Sequence, residues 1–280
     1  MKRKYVFLDV DGTLVNFKSQ IPDTAVEALK AAQKNGHKMI IATGRQKSQI
    51  YPWLFERVNF DGIMASSGAY IELEGKVIFA SRPTKEKFDF VIDFFHENNI
   101  PFCLQSANAL YAEEDCYYKI VDFMRKRGSS ESVIESVLGG AIFIDNPKDL
   151  HSNGTCSIEK LAYYNSPLNL EQVRQRLGGY YYVVGYSLGQ EGSTYHGEIT
   201  FDGVHKGVGI KKFMESVGVP LEDSIAVGDS GNDLEMIRCA GFGVAMGNAS
   251  GDIKDAADFV TTDIDSDGIY NAFKHLGLID

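Results

Sequence analysis

The sequence predicts an α/β chain, a doubly wound and mostly parallel sheet into which a second, α+β domain is inserted. Short β-rich runs alternate with amphipathic helical stretches at both ends of the chain, the rhythm of a parallel sheet covered on both faces. Three of those runs stop abruptly in polar, glycine-bearing segments: Asp9-Val10-Asp11-Gly12-Thr13, Thr43-Gly44-Arg45 and Gly228-Asp229-Ser230-Gly231-Asn232-Asp233. From about Arg82 to about Glu198 the texture changes to a helix followed by strands rich in Tyr and Phe.

Taken in order, Lys4–Leu8 reads as the first strand. Asp23–Asn35 reads as a helix, because Ala25, Ala28, Leu29 and Ala32 fall on one side. His37–Ala42 is the second strand, followed after Arg45 by another helical stretch. Gly62–Ala65 is the third, and Tyr70–Phe79 folds as a hairpin around Glu74-Gly75. In the insertion, Phe88, Val91, Ile92 and Phe95 have helical spacing. Ser157–Tyr164, Tyr180–Tyr186 and Tyr195–Phe201 look like antiparallel strands, with Leu168–Leu177 a helix between two of them. The parallel rhythm then resumes. Ser224–Val227, Gly243–Ala245 and Phe259–Thr261 are strands, separated by helices near Gly207–Ser216, Asp233–Ala240 and Ser250–Asp255. A last helix runs over Asp267–His275. The expected division is 1–82 with 199–280 for the parallel domain and 83–198 for the insertion.

Bulk properties narrow the function. At 280 residues the chain suits one large domain or two modest ones. A net charge of −10 without a long basic run argues against nucleic acid as a partner, and Arg125-Lys126-Arg127 reads as the wet face of a helix end. Cys103, Cys116, Cys156 and Cys239 are widely spaced and form no CxxC, which favours free thiols. The apolar run behind Met1-Lys2-Arg3-Lys4 is halted by Asp9, too soon for a signal peptide. No segment is long and apolar enough for a membrane, so a cytoplasmic protein is expected. Asn153-Gly154-Thr155 and Asn248-Ala249-Ser250 fit the glycosylation pattern, which has no meaning without secretion.

The chemistry gathers at the strand ends. In a parallel sheet those ends open onto one edge, where such folds place their ligand sites. Asp9 and Asp11 deliver two carboxylates behind the first strand. Gly12 allows a sharp turn, and Thr13 can cap the next element. A strand-end Asp pair suits phosphoryl chemistry with a metal: one carboxylate attacks phosphorus, the other manages the proton. Lys206 starts a helix from which a cation reaches the same edge. Either motif alone reads as a turn or a Gly-rich loop; their convergence is the signal.

With these motifs in this order and spacing, the sequence resembles the haloacid dehalogenase-like superfamily, specifically its Cof subfamily of phosphatases. The resemblance covers essentially the whole chain, although the insertion matches in architecture more than in residues. It implies a Rossmann-like core and an inserted cap that selects substrate. It implies Asp9 as nucleophile, forming an aspartyl-phosphate, and Asp11 as general acid and then base. Thr43 and Gly44 would hold phosphate oxygens, joined by Arg45 and Asn232, with Lys206 neutralising them. Mg²⁺ would lie between Asp9, the Asp11 carbonyl and Asp229, supported by Asp233. A small phosphorylated metabolite is the implied substrate, and nothing points to an obligate protein partner.

Blander readings stand beside these. Asp233 is well placed to cap the following helix. Arg45 has the alternative of pairing with a structural carboxylate. His205 reads as a loop residue flanking Lys206. Many relatives carry Asn-Gly-Ala after the third strand where this chain has Ser67-Gly68-Ala69, which removes any contact expected of that Asn. Asp263-Ile264-Asp265-Ser266-Asp267-Gly268 opens like a calcium loop, but Lys274 stands where its last carboxylate belongs; Asp267 or Ser266 reads instead as a helix N-cap. A phosphomutase on the same scaffold and a non-catalytic phosphate sensor are the alternatives to a phosphatase.

Overall fold

The computed structural model describes residues 2–151, 156–185 and 195–280. In chain order the strands are β1 (Tyr5–Leu8), β2 (Lys38–Ala42), β3 (Gly62–Ala65), β4 (Tyr70–Leu73), β5 (Lys76–Ala80), β6 (Phe102–Gln105), β7 (Leu110–Ala112), β8 (Ile142–Phe143), β9 (Lys160–Tyr163), β10 (Tyr181–Gly185), β11 (Gly197–Phe201), β12 (Ser224–Gly228), β13 (Phe242–Ala245) and β14 (Phe259–Val260). The helices are α1 (Asp23–Lys34), α2 (Pro52–Arg57), α3 (Lys85–Glu97), α4 (Glu114–Lys126), α5 (Glu131–Leu138), α6 (Leu170–Leu177), α7 (Lys206–Ser216), α8 (Leu234–Cys239), α9 (Gly251–Ala256) and α10 (Gly268–His275).

Two compact units result. One comprises Met1–Arg45, Ile50–Phe79 and His205–Asp280; the other comprises Gln46–Gln49 and Ala80–Val204. The second unit therefore runs past the expected limit at 198, because β11 pairs antiparallel with both β9 and β10 and carries the chain to Phe201. It also takes in 46–49, where Ser48 N–H donates to the Ala107 carbonyl and Gln49 Nε2 to that of Val137.

The first unit holds an eight-stranded sheet in the order β14-β13-β12-β1-β2-β3-β4-β5. From β14 to β3 the pairs are parallel, and β4 then turns back antiparallel on β3. All four residues of β1 are buried, as a strand covered on both faces requires. Helix α1 buries Ala25, Val26, Ala28, Leu29 and Ala32, with Asp23 in its first turn and Lys34 in its last, which suits the helix dipole. Helix α7 matters most for the site, because Lys206 is its first residue. Its Ile210, Phe213 and Met214 join a core with Phe7, Ile40 and Met64, and Phe213 meets Phe7 edge-on at 5.2 Å. Gly209 permits this approach: a Cβ there would stand 3.0 Å from Gly68 Cα.

The second unit is a six-stranded sheet in the order β10-β11-β9-β6-β7-β8. On one face Phe88, Val91 and Phe95 of α3 and Val173 of α6 pack with Leu161, Ile199 and Phe201. On the other, Ile120 and Met124 of α4 and Leu138 of α5 pack with Cys103, Leu110 and Ala162. Adjacent strand residues thus serve different cores, as the two-residue period of a strand dictates.

Some expected elements are shorter or differently shaped. The helical stretch after Arg45 is a 3₁₀ turn, Lys47–Gln49, and then α2, which starts at Pro52 where a missing N–H costs nothing. The stretch at Asp233–Ala240 opens with a 3₁₀ turn at Gly231–Asp233 before α8. Asp267 does precede α10, in left-handed conformation and without a capping side-chain bond. Tyr186, expected to end a strand, and the Asn153-Gly154-Thr155 triplet lie outside the described residues, save that β10 is described to Gly185. No helix among the described residues is long and apolar enough to cross a membrane.

Candidate active site

Asp9 stands one residue beyond β1, its N–H donating to the Val227 carbonyl of β12 at 3.0 Å. The chain then folds into a tight loop: Leu14 and Val15 N–H donate to the Val10 carbonyl, and Gly12 N–H donates back to that of Val15. Gly12 sits at φ +85°, and a Cβ on it would fall 2.7 Å from Cγ of Asp229. Only glycine allows both the turn and that proximity. The loop consequently delivers Asp9 buried, at 4% exposure, and leaves the Asp11 carboxylate half exposed.

Three carboxylates converge here from two strand ends. Ligand oxygens of Asp9, Asp229 and Asp233 lie within 4.8 Å of one another. Lys206 Nζ, fully buried, donates to Asp9 Oδ1 at 2.8 Å and Asp233 Oδ1 at 2.5 Å. Asp233 Oδ2 accepts from the N–H groups of Asp229 and Ser230, each at 3.0 Å. Asp233 therefore closes a capping box with Ser230, and does not act as a side-chain N-cap of α8.

One ammonium does not balance three acids, two of them buried and Asp229 partly so. Burial pushes the Asp9 pKa well up, with Asp233 adding to the effect, and Lys206 only partly offsets this. Asp229 is pushed up to about 7 by burial and by Asp233, despite the Thr13 hydroxyl that donates to it. For Lys206 burial works against the charge, but Asp233 and Asp9 outweigh it and raise the pKa. A divalent cation fits this set: the donors are hard carboxylate oxygens, and a second positive centre would relieve the repulsion that raises Asp9 and Asp229.

The second strand end lies beside this group. Thr43 is buried, its N–H donating to the Met64 carbonyl and its Oγ1 accepting from Arg45 N–H. Arg45 turns its guanidinium onto Asp11, with Nε 2.6 Å from Oδ2 and Nη2 2.8 Å from Oδ1. The expected alternative of an ion pair is thus realised, but on a candidate catalytic carboxylate. Asn232 is partly buried, and its Oδ1 accepts from Ser230 Oγ.

Comparison with known proteins bears on what such a site belongs to. The profile that describes haloacid dehalogenase-like hydrolases matches residues 6–273. The chain belongs to that family. Phosphatase YwpJ of Bacillus subtilis (strain 168) is 28% identical over 295 residues, covering 98% of this chain and 99% of its own. Pyridoxal phosphate phosphatase YbhA of Escherichia coli (strain K12) is 26% identical over 282 residues, covering 99% and 100%. Among solved structures, the sugar phosphatase BT4131 of HAD subclass IIB superposes with a TM-score of 0.78 at 27% identity, over 99% of this chain and 100% of that one. This member of the family is a Cof-type phosphoric monoester hydrolase with a Rossmann-like α/β core.

Several residues of this haloacid dehalogenase-like hydrolase carry structural duties that the sequence reading missed. Thr13, read as a cap, donates its hydroxyl to Asp229 Oδ1 at 2.7 Å. Asn248, noted only for a glycosylation pattern, donates to the Gly12 carbonyl and accepts from Ile264 N–H, tying the Asp loop to the turn that follows β14. Tyr51 was overlooked inside an apparent helix, yet Arg45 Nη2 donates to its hydroxyl at 2.7 Å. The signal available for Tyr51 was weak: an aromatic just before a proline, six residues beyond Arg45. Ser66 and Ser67, after β3, both adopt left-handed backbone at φ 50° and 55°. Their buried hydroxyls have no hydrogen-bond partner among the described residues.

Proposed function

We propose that this hydrolase is a Mg²⁺-dependent phosphatase of small phosphorylated metabolites, sugar phosphates or similar, acting through an aspartyl-phosphate. The observation that carries the reading is the pairing of a buried strand-end Asp9 with Lys206 at 2.8 Å, two residues before an Asp11 held apart from the acidic cluster. The BT4131 sugar phosphatase and the pyridoxal phosphate phosphatase YbhA support the substrate class.

Asp9, Asp229 and Asp233, with the Asp11 carbonyl, would hold Mg²⁺, which when bound supplies positive charge against the approach of an anion to an anion. Lys206, Thr43, Gly44, Arg45 and Asn232 would bind and orient the phosphoryl oxygens. An oxygen of Asp9 attacks phosphorus as the ester oxygen leaves, and Asp11 gives that oxygen its proton. Water then attacks the phosphorus of the aspartyl-phosphate, Asp11 takes the water's proton, and release of inorganic phosphate restores Asp9. Splitting one displacement in two lowers each barrier. The inserted unit, as a cap, would exclude water and choose the leaving group.

The test is phosphate release from a panel of sugar phosphates, flavin and pyridoxal phosphates, nucleotides and an aryl phosphate, with Mg²⁺ and with EDTA. Release that requires Mg²⁺ and is absent in Asp9→Asn is expected. A folded protein that frees phosphate from none of them overturns the reading, and transfer between sugar positions in its place would make it a phosphomutase.

A further inference from the structure

The ion pair between Arg45 and Asp11 is held by a third side chain. Arg45 Nη2 donates to Tyr51 Oη at 2.7 Å, and Cζ of the guanidinium lies 4.3 Å from the centroid of the same ring. One tyrosine therefore grips the guanidinium at an edge and across a face. Tyr51 is itself braced: its ring stacks on Trp53 at 5.3 Å and 29°. Its backbone is restricted by Pro52, the first residue of α2, to the extended region it occupies. Its hydroxyl also donates to Asp11 Oδ1 at 3.4 Å, a direct contact beside the one through Arg45. Asp11, Arg45, Tyr51, Pro52 and Trp53 all belong to the first unit.

This bracing has a physical purpose. An exposed arginine–carboxylate pair is ordinarily loose, because a long side chain must be ordered for a small return in high dielectric. The Asp11 side chain is 50% exposed, so a loosely ordered Arg45 would hold it poorly. A stacked and hydrogen-bonded guanidinium is already ordered, and presents its fork to both carboxylate oxygens in one geometry. Proton transfer is sensitive to such placement, since the proton must pass along a hydrogen bond to one particular oxygen.

We propose that Tyr51 is a positioning residue for proton transfer: it fixes Arg45 and, through Arg45, aims the Asp11 carboxylate at the leaving oxygen. The inference rests on the phosphatase reading, with Asp11 as proton donor. Tyr51 touches neither phosphate nor nucleophile in this scheme, and of the two proton transfers that use Asp11, kcat/KM reads the first, to the leaving oxygen.

Leaving-group dependence separates this role from a structural one. The comparison is kcat/KM, with Mg²⁺ present, for the best alkyl phosphate of the panel and for p-nitrophenyl phosphate, whose leaving group departs without a proton. Tyr51→Phe keeps the ring and its stack but removes the hydroxyl that accepts from Arg45 and donates to Asp11. It is expected to lower kcat/KM on the alkyl ester roughly tenfold while the aryl ester changes by no more than about twofold. Tyr51→Leu, which removes the ring as well, should widen that gap, and both variants should melt near the wild type. Equal losses on the two esters, or no loss on either, overturn the proposal, whether or not the melting temperature falls. A wild type that releases no phosphate from any ester removes the phosphatase reading and this inference with it. An active wild type with ester-independent Tyr51 variants removes this inference alone.

Discussion

Lys206 Nζ lies 2.8 Å from Oδ1 of Asp9, and neither side chain is more than 5% exposed. Lys206 opens α7 and reaches from there to the end of β1. The glycine at 209 and the aromatic contact of Phe213 with Phe7 make this placement possible. Buried against Asp9 and Asp233, the ammonium cannot be removed without leaving charge uncompensated. Lys206→Met should lower kcat about 10²–10³-fold, the scale of losing one positioned charge at a developing anion. Unless carboxylates take up protons, it should also cost about 3–5 kcal/mol of stability. Phosphate-release kinetics and urea unfolding check the two effects separately. Wild-type turnover in the variant would show that Asp9 does not depend on this cation.

The acidic cluster predicts a stability response to metal that is independent of turnover. If Asp9, Asp229 and Asp233 hold Mg²⁺, the ion binds the folded chain and not the unfolded one. Free Mg²⁺ at a hundred times its Kd should then stabilise the protein by about 2.7 kcal/mol. EDTA should reverse this, and Asp229→Asn should greatly reduce the response by removing one ligand. Thermal unfolding across a Mg²⁺ titration is the measurement. Equal shifts in wild type and variant would place the ion elsewhere.

The parts of this site visible in sequence are those a strand end places by itself. A continuous apolar run before Asp9 and another before Asp229 fix which edge the acids occupy, and Lys206 follows because α7 begins there. Thr13, Tyr51 and Asn248 were not visible. Each acts through a partner remote in sequence or on a turn whose shape depends on its neighbours: Thr13 on Asp229, Asn248 on Gly12, Tyr51 on Arg45. Thr13 invited reading as a cap, although the chain after it forms a loop and no helix before Asp23. In the second unit, β7 and β8 span three and two residues, too short for a period-two pattern to stand out. The expected limit at 198 followed a change in composition, and strand pairing follows a different rule. The pairing of β11 across to β9 and β10 continues beyond the change in composition that suggested the boundary.

Lys160 and Glu198 form an ion pair at 2.6 Å between β9 and β11, with side chains 2% and 7% exposed. They share a sheet face with Ala162, which packs into an apolar cluster. Such a pair gains little over apolar side chains of similar volume, but breaking it strands a charge. Lys160→Met should therefore cost about 3–5 kcal/mol, and adding Glu198→Leu should recover most of the loss. Urea unfolding of the two single variants and the double variant gives the coupling directly. Additive losses would mean that the two charges are solvated independently.

Glu159, next to that pair in sequence, has a different consequence. It is 4% exposed, and its Oε2 meets no hydrogen-bond donor among the described residues. Burial pushes its pKa up to about 8, against the opposing pull of Arg82. In the unfolded chain the group titrates near the ordinary value of 4.5. Between those limits the folded protein keeps a proton that the unfolded chain has lost, so stability falls as pH rises. The contribution is complete below 4.5, drains away through about 8 and is constant above. Glu159→Gln cannot ionise and escapes this loss. Relative to wild type, the variant should therefore gain about 1–3 kcal/mol between about pH 5 and about pH 9, the scale of leaving a buried polar group unsatisfied. Urea unfolding of both proteins at those two pH values measures the change, and the m-values should agree. If the difference between the two proteins is the same at both, Glu159 ionises freely in the folded state and its burial does not control its proton.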